Sequence, residues 1–161
     1  RDVLQNDADV DNQFWVTPSA VAKWKYLKGG KKVKRTDPKT GFEYFYSEGG
    51  IPFPDKLNQP ARTILTGEGG TTPSRFKHII APPGKRRYRR LTPVELERIN
   101  GFEDNWTRYP GMPDGRRAFC MGNALVVGVV EGIGRALVER AAIDKQCHAA
   151  KSKSARQKSA V

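Results

Sequence analysis

Acid is in short supply in this sequence: 17 Asp and Glu stand against 29 Lys and Arg in 161 residues, a net charge of +12. That imbalance points to an anionic partner, nucleic acid before others. Cysteine is scarcer still. Cys120 and Cys147 are the two present and neither belongs to a CxxC pair, which excludes a disulfide framework and makes a reducing, cytosolic setting the default. With His78 and His148 they form no metal-ligand spacing, so no metal is expected. Apolar residues make up 37% and no run of about 18 is free of charge, so neither a bilayer span nor a membrane partner is expected. The N-terminus, RDVLQNDADVDNQ, lacks the basic-then-apolar pattern of a secretory signal and lacks an initiator Met. The expectation is a piece of a longer chain, with length for about one domain.

What charge there is divides the chain. An acidic segment, 1–13, holds four aspartates. A basic run follows with Lys23, Lys25, Lys28, Lys31, Lys32, Lys34, Arg35 and Lys39, and a second at Lys85-Arg86-Arg87-Tyr88-Arg89-Arg90. Either run can supply the salt-sensitive phosphate attraction of a nucleic-acid binder, or be a solvated face. The tail, 144–161, has few apolar residues and almost no acid, and is expected to be disordered.

Between 14 and 87 Gly-Gly pairs and prolines punctuate short apolar runs, which predicts a small, irregular, β-rich region. Thr36-Asp37-Pro38-Lys39-Thr40-Gly41 reads as the turn of a hairpin whose second strand puts Phe42, Tyr44 and Tyr46 on one face and Phe45 on the other. Further strands are expected at 62–66 and 76–80. From 88 to 143 the pattern becomes helical, giving an α+β class. Thr92-Pro93-Val94-Glu95 is a capping box with proline at the first helical position, and Gly101 ends that helix. A loop is expected over 103–117, then a helix from just after Asn123 to about Arg140. Its apolar side is Leu125, Val126, Val129, Val130, Ile133 and Leu137, with Glu131, Arg135 and Glu139 as a ladder on the wet side. Gly128, Gly132 and Gly134 weaken such a helix, by roughly 1 kcal/mol each, unless something packs close to it. Trp15, Trp24 and Trp106 are expected as core or interface anchors.

Two stretches are more specific. Tyr88-Arg89-Arg90-Leu91-Thr92-Pro93-Val94-Glu95-Leu96-Glu97-Arg98-Ile99-Asn100-Gly101-Phe102 and, some twenty residues on, Met121-Gly122-Asn123-Ala124-Leu125-Val126-Val127 resemble the last two conserved blocks of the DNA (cytosine-5) methyltransferases. Upstream, Arg62-Thr63-Ile64-Leu65 resembles the Thr-Leu type dipeptide of that family's target recognition domain. Asn100, Glu103 and Leu125 depart mildly from the family pattern. A larger departure is that Phe119 precedes Cys120 and Gln146 precedes Cys147, so neither cysteine stands in the Pro-Cys motif whose thiolate attacks cytosine C6. The E-N-V motif and the F-x-G-x-G loop are missing as well.

The resemblance implies two helices over 88–143 that complete a Rossmann-like methyltransferase core, with no catalytic residue in this chain. It implies double-stranded DNA and a catalytic subunit or N-terminal half as partners, in the cytoplasm of a prokaryote or phage. S-adenosylmethionine would be the cofactor, in a pocket supplied mostly by the other half. At a helix start, Asn123 would be a good N-cap, and the free amides of Ala124 and Leu125 would suit an anionic group. The resemblance makes that group the methionine part of the cofactor. Thr63 would hold a phosphate beside the flipped nucleotide. Arg62, Arg75, Lys77, Arg87 and Arg90 complete the expected DNA contacts, Arg75 being the leading base reader because arginine pairs bidentately with guanine. Two readings compete with a methyltransferase portion: a stand-alone sequence-specific DNA-binding module, and a basic scaffold or ribosome-associated protein.

Overall fold

The computed structural model describes residues 3–158, with side chains to Lys145. Its elements run α1 (Pro18–Lys28), β1 (Lys31–Thr36), β2 (Glu43–Glu48), β3 (Ile79–Ile80), β4 (Arg89–Arg90), α2 (Pro93–Asn100), α3 (Asp114–Asn123) and α4 (Val127–Lys158). The class is mixed α and β, with two small antiparallel sheets. Contacts divide the chain after Ala124, into 1–124 and 125–161. The N-terminal segment is built into the first unit. The Gln5 amide donates to Glu95 Oε1 at 2.9 Å, and Arg98 donates to the carbonyls of Val3 and Leu4.

The expected hairpin forms, pairing Lys31 with Glu48 and Thr36 with Glu43. Gly41 supplies the positive φ of +70° that closes its turn. Elsewhere 14–87 holds less strand than expected. Residues 62–66 form no strand, and 76–80 contributes just β3. Helix α1 was not expected. Pro18 opens it at a position where the missing N–H costs nothing, no glycine interrupts it before Gly29, and its Trp24 is 2% exposed. The core sits on both sides of β3. Ile79 packs with Val16 and Trp24. The next residue, Ile80, points to the opposite face and joins Ile64, Leu91, Leu96, Ala118 and Met121.

The capping box of α2 is present: Thr92 Oγ1 accepts from the Glu95 amide at 3.2 Å, and Glu95 Oε2 accepts from the Thr92 amide at 2.9 Å. Gly101 ends the helix at φ +80°. The expected loop over 103–117 stops short, because α3 begins at Asp114. Asn123 therefore closes a helix instead of opening one, and α4 starts at Val127. Of the tryptophans, Trp24 is the core anchor, while Trp106 is 63% exposed and leans on Phe102.

Helix α4 runs past both Arg140 and the start of the expected disordered tail, reaching Lys158; residues 159–161 lie outside the described residues. Glu131 and Arg135 pair on it as expected. Its apolar residues do not find a core: Val129, Val130, Ile133 and Leu137 are all exposed. Nor does anything described here come close to Gly128, Gly132 or Gly134, each of which has open space where a Cβ would stand. By length and composition the stretch Asp114–Lys145 is apolar enough to cross a membrane, contrary to the expectation from the sequence. Its helix, however, is interrupted at 124–126.

Candidate nucleic-acid interface

Basic side chains in this fold divide into those that hold the backbone and those that face water. Arg89, fully buried, belongs to the first group. It meets Glu95 through two parallel bonds of 2.8 Å, and its Nε donates to Asp7 at 3.2 Å. Such a fork is the strongest arrangement available to an arginine and a carboxylate. Buried Glu97 does the same for the loop before α3: it accepts from the amides of Asn105 and Thr107, from the Thr107 hydroxyl, and from Arg117 on α3. Burial alone would raise the Glu97 pKa, but these donors outweigh it and hold the carboxyl below its usual range.

The segment 67–78 is a closed loop on this frame. Its ends meet where the His78 amide donates to Glu68 Oε1 at 2.7 Å. Inside it, Lys77 Nζ donates to the carbonyls of Gly70 and Thr72, at 3.1 and 2.9 Å. Arg90 donates from one nitrogen to Gly70 and from another to Gln13. Arg62 spans the base, with Nε on Asp55 at 2.7 Å and its other two nitrogens on the carbonyls of Phe76 and Lys77. Asp55 also receives Lys28 and the Ile79 amide. Burial opposes ionisation of Asp55, yet the Arg62 and Ile79 bonds and the Lys28 charge prevail, so its pKa is lowered. Burial pushes Lys77 and Arg90 down, and for Lys77 the neighbouring Arg90 adds to it.

Glycine lets this loop lie directly on α3. A Cβ on Gly69 would stand 2.8 Å from Gly115 Cα, and one on Gly122 would collide with the backbone of Leu65 and Thr66. Gly115 and Gly122 are two helical turns apart, so they share one face of α3. Residues 65–70 run along that face.

Of the six side chains expected on DNA, Thr63 and Arg87 are exposed. Arg87 lies over the Trp15 ring at 4.7 Å, beside exposed Lys85 and Arg86. Arg62, Lys77 and Arg90 have their donors turned inward onto carbonyls and Asp55, so the structure places them as struts of the loop. Arg75 is engaged too: it pairs with Glu48 and donates to the Gly49 carbonyl at 2.7 Å, tying the loop to the base of the hairpin. What the loop shows outward is Thr71, Thr72 and Phe76, next to Thr63 and Thr66. A rigid loop of hydroxyls, flanked by cations on the hairpin and at 85–87, can approach a phosphate backbone closely. Sequence reasoning missed Thr71 and Thr72 as presented groups. The Gly-Gly pair before them was the available signal.

At the end of α3, the Asn123 Nδ2 donates to the Phe119 carbonyl at 3.0 Å and the Ala124 amide to the Met121 carbonyl at 3.3 Å. The Ala124 amide, expected to be free at a helix start, is thus spent on closing the helix. Leu125 is 72% exposed. Among the described residues no group of His, Cys, Asp and Glu is arranged to hold a metal ion.

Comparison with known proteins gives the chain a context. The profile of the C-5 cytosine-specific DNA methylases matches residues 5–139. The chain is 49% identical over 128 residues to the type II methyltransferase M.Sau3AI of Staphylococcus aureus, an alignment covering 80% of this chain and 29% of that protein. The chain thus spans less than a third of the length of the curated relative it matches. No solved structure matches it.

Proposed function

The chain belongs to the C-5 cytosine-specific DNA methylase family, and we propose that it is the target-recognition and cofactor-pocket-completing portion of a DNA (cytosine-5) methyltransferase. In that reading the enzyme transfers a methyl group from S-adenosylmethionine to C5 of a cytosine flipped out of a specific duplex. The nucleophilic cysteine lies on a partner subunit or a preceding part of the chain. One observation carries the reading: residues 5–139 match the family, while neither Cys120 nor Cys147 follows a proline. The uncovered apolar side of α4 supports it, because a patch of that extent on a soluble chain marks a surface meant for another.

The chain's own residues then do the work of holding and reading. An enzyme that extrudes a base needs firm contacts on the flanking phosphates. Thr63, Thr71 and Thr72 supply hydroxyls, Arg87 supplies charge, and Arg62, Lys77 and Arg90 keep the presenting loop rigid. Arg75 braces the loop against the hairpin. S-adenosylmethionine provides the methyl group when bound. Asn123, Ala124 and Leu125 form its edge, the remainder of the pocket being supplied by the other half. The setting is the cytoplasm of a prokaryote or phage.

Mixing the chain with the catalytic half of a relative, duplex DNA and tritiated S-adenosylmethionine tests the proposal. Methyl transfer well above that of the catalytic half alone is expected. No increase at saturating chain would remove the reading and favour a stand-alone DNA-binding module.

A further inference from the structure

The β1–β2 ribbon packs on little besides itself, and most of its residues face water. It nevertheless carries large side chains: Phe42 is 67% exposed, Phe45 64% and Tyr44 41%. A bare two-stranded ribbon is marginal in water, so aromatic groups on both of its faces call for something to lie against them.

The two faces differ. Residues opposed across the ladder share a face, so Lys31, Val33, Arg35, Tyr44, Tyr46 and Glu48 stand on one, and Lys32, Lys34, Thr36, Glu43, Phe45 and Ser47 on the other. On the second face the charge is settled internally, with Lys34 2.6 Å from Glu43 and Lys32 over the Phe45 ring at 5.1 Å. On the first face Arg35 lies 3.7 Å over the Tyr46 ring, and Tyr44 stacks on Phe42. Its single acid, Glu48, is bound by Arg75 and accepts the Tyr46 hydroxyl at 2.7 Å. Lys31, half-buried, sits over the Tyr26 ring at 4.4 Å, and Arg35 and the Tyr44 hydroxyl are exposed. The Glu48–Arg75 pair joins this face to the loop 67–78, so the loop's surface continues along the ribbon for about 20 Å, six residues at ~3.3 Å each.

The geometry points to this face, Lys31, Val33, Arg35, Tyr44 and Tyr46, as a sequence-independent grip on the phosphate–sugar backbone of duplex DNA beside the target. The inference rests on the proposed function and extends it. Charge complementarity selects the ligand, since the face carries two cations held over aromatic rings while its one acid, Glu48, is taken by Arg75. Arginine, lysine and tyrosine are the side chains that make backbone contacts, which position a protein on DNA without reading sequence. Seating Arg35 on Tyr46 holds its guanidinium in place before DNA arrives, so less side-chain freedom is lost on binding.

The test uses the full chain and fluorescein-labelled duplexes of about 30 base pairs with unrelated sequences, followed by anisotropy across a salt series. The double variant Lys31→Gln, Arg35→Gln is expected to bind every duplex about tenfold more weakly at low salt, with a slope of log affinity against log salt shallower by about 2. Tyr44→Ser is expected to weaken all sequences alike, with no change in slope. Because Arg35 and Tyr44 are exposed and Lys31 is half-buried against the Tyr26 ring, circular dichroism should match the parent chain and the urea midpoint should fall only slightly. If the double variant fails to fold, a photo-crosslinker on Val33→Cys gives an independent answer by its capture of labelled duplex.

Unchanged affinity and slope, or no crosslink, would overturn the inference and leave the proposed function standing. A changed sequence preference at constant slope would also overturn it, in favour of base reading. So would intact DNA binding with lost association to the catalytic half, which would make the face a protein interface. If the parent chain binds no duplex at any salt, the proposed function itself fails, and that outcome is read from the parent alone.

Discussion

At the scale of single residues, the structure rests on a few positions where substitution has no room. Gly122→Ala drives a Cβ into the backbone of Leu65 and Thr66, where neither neighbour is a flexible side chain that can yield. Overpacking of this kind costs about 1–3 kcal/mol, and urea unfolding of the variant should show a loss at the upper end of that range. Arg89→Met leaves the buried Glu95 carboxylate without its counter-charge, with the Gln5 and Thr92 amides as its remaining donors. Breaking such a pair costs about 3–5 kcal/mol, enough to unfold a marginal chain at 37 °C, visible as a lost thermal transition. The carboxyls of Asp55 and Glu97 have pKa values below their ordinary ones. A carboxyl lowered on folding stabilises the native state fully above its unfolded value, about 4, and the contribution disappears as pH falls through the folded value. The urea midpoint should therefore hold from neutrality to about pH 5 and fall steeply below pH 4, and Asp55→Asn should make that fall shallower.

Elements were legible where their signals are local. The box of Thr92 and Glu95 names its own helix, and Thr92→Ala should cost about 1 kcal/mol in the urea midpoint without moving the start of α2. The hairpin is equally local, since a Pro-containing turn closed by Gly41 sets its register. Helix α1 is silent in the sequence pattern because its apolar residues, Ala20, Val21, Ala22, Trp24, Tyr26 and Leu27, are spread around the helix instead of along one face, and Trp24 is the one of them that is fully buried. Gly122-Asn123-Ala124 was read in the wrong direction because glycine and asparagine serve both ends of a helix, and the choice depends on how Gly122 packs on residues far upstream. The candidate site was half legible for a similar reason. Arg62, Lys77 and Arg90 are expected from the sequence to contact DNA, and in the structure they brace the loop. Whether a guanidinium faces water or a carbonyl is fixed by backbone that folds back from elsewhere, and no spacing in the sequence encodes it.

At the scale of the whole molecule, the apolar side of α4 sets how the chain behaves alone. Val129, Ile133, Leu137 and Val138 are each more than half exposed. The isolated chain should self-associate, with sedimentation showing species heavier than 18.0 kDa that diminish when a catalytic half is added. A stable monomer at all concentrations would show that α4 needs no cover. The contact between 65–70 and the glycine face of α3 has a further consequence for anyone who would exchange this chain's recognition loop for a relative's. Backbone meets backbone there, so the loop's path and the helix surface form one inheritable unit. A graft that brings new loop residues but alters Gly69 or Gly122 should misfold regardless of how well it suits its DNA, whereas one confined to Thr71, Thr72 and their exposed neighbours can vary freely.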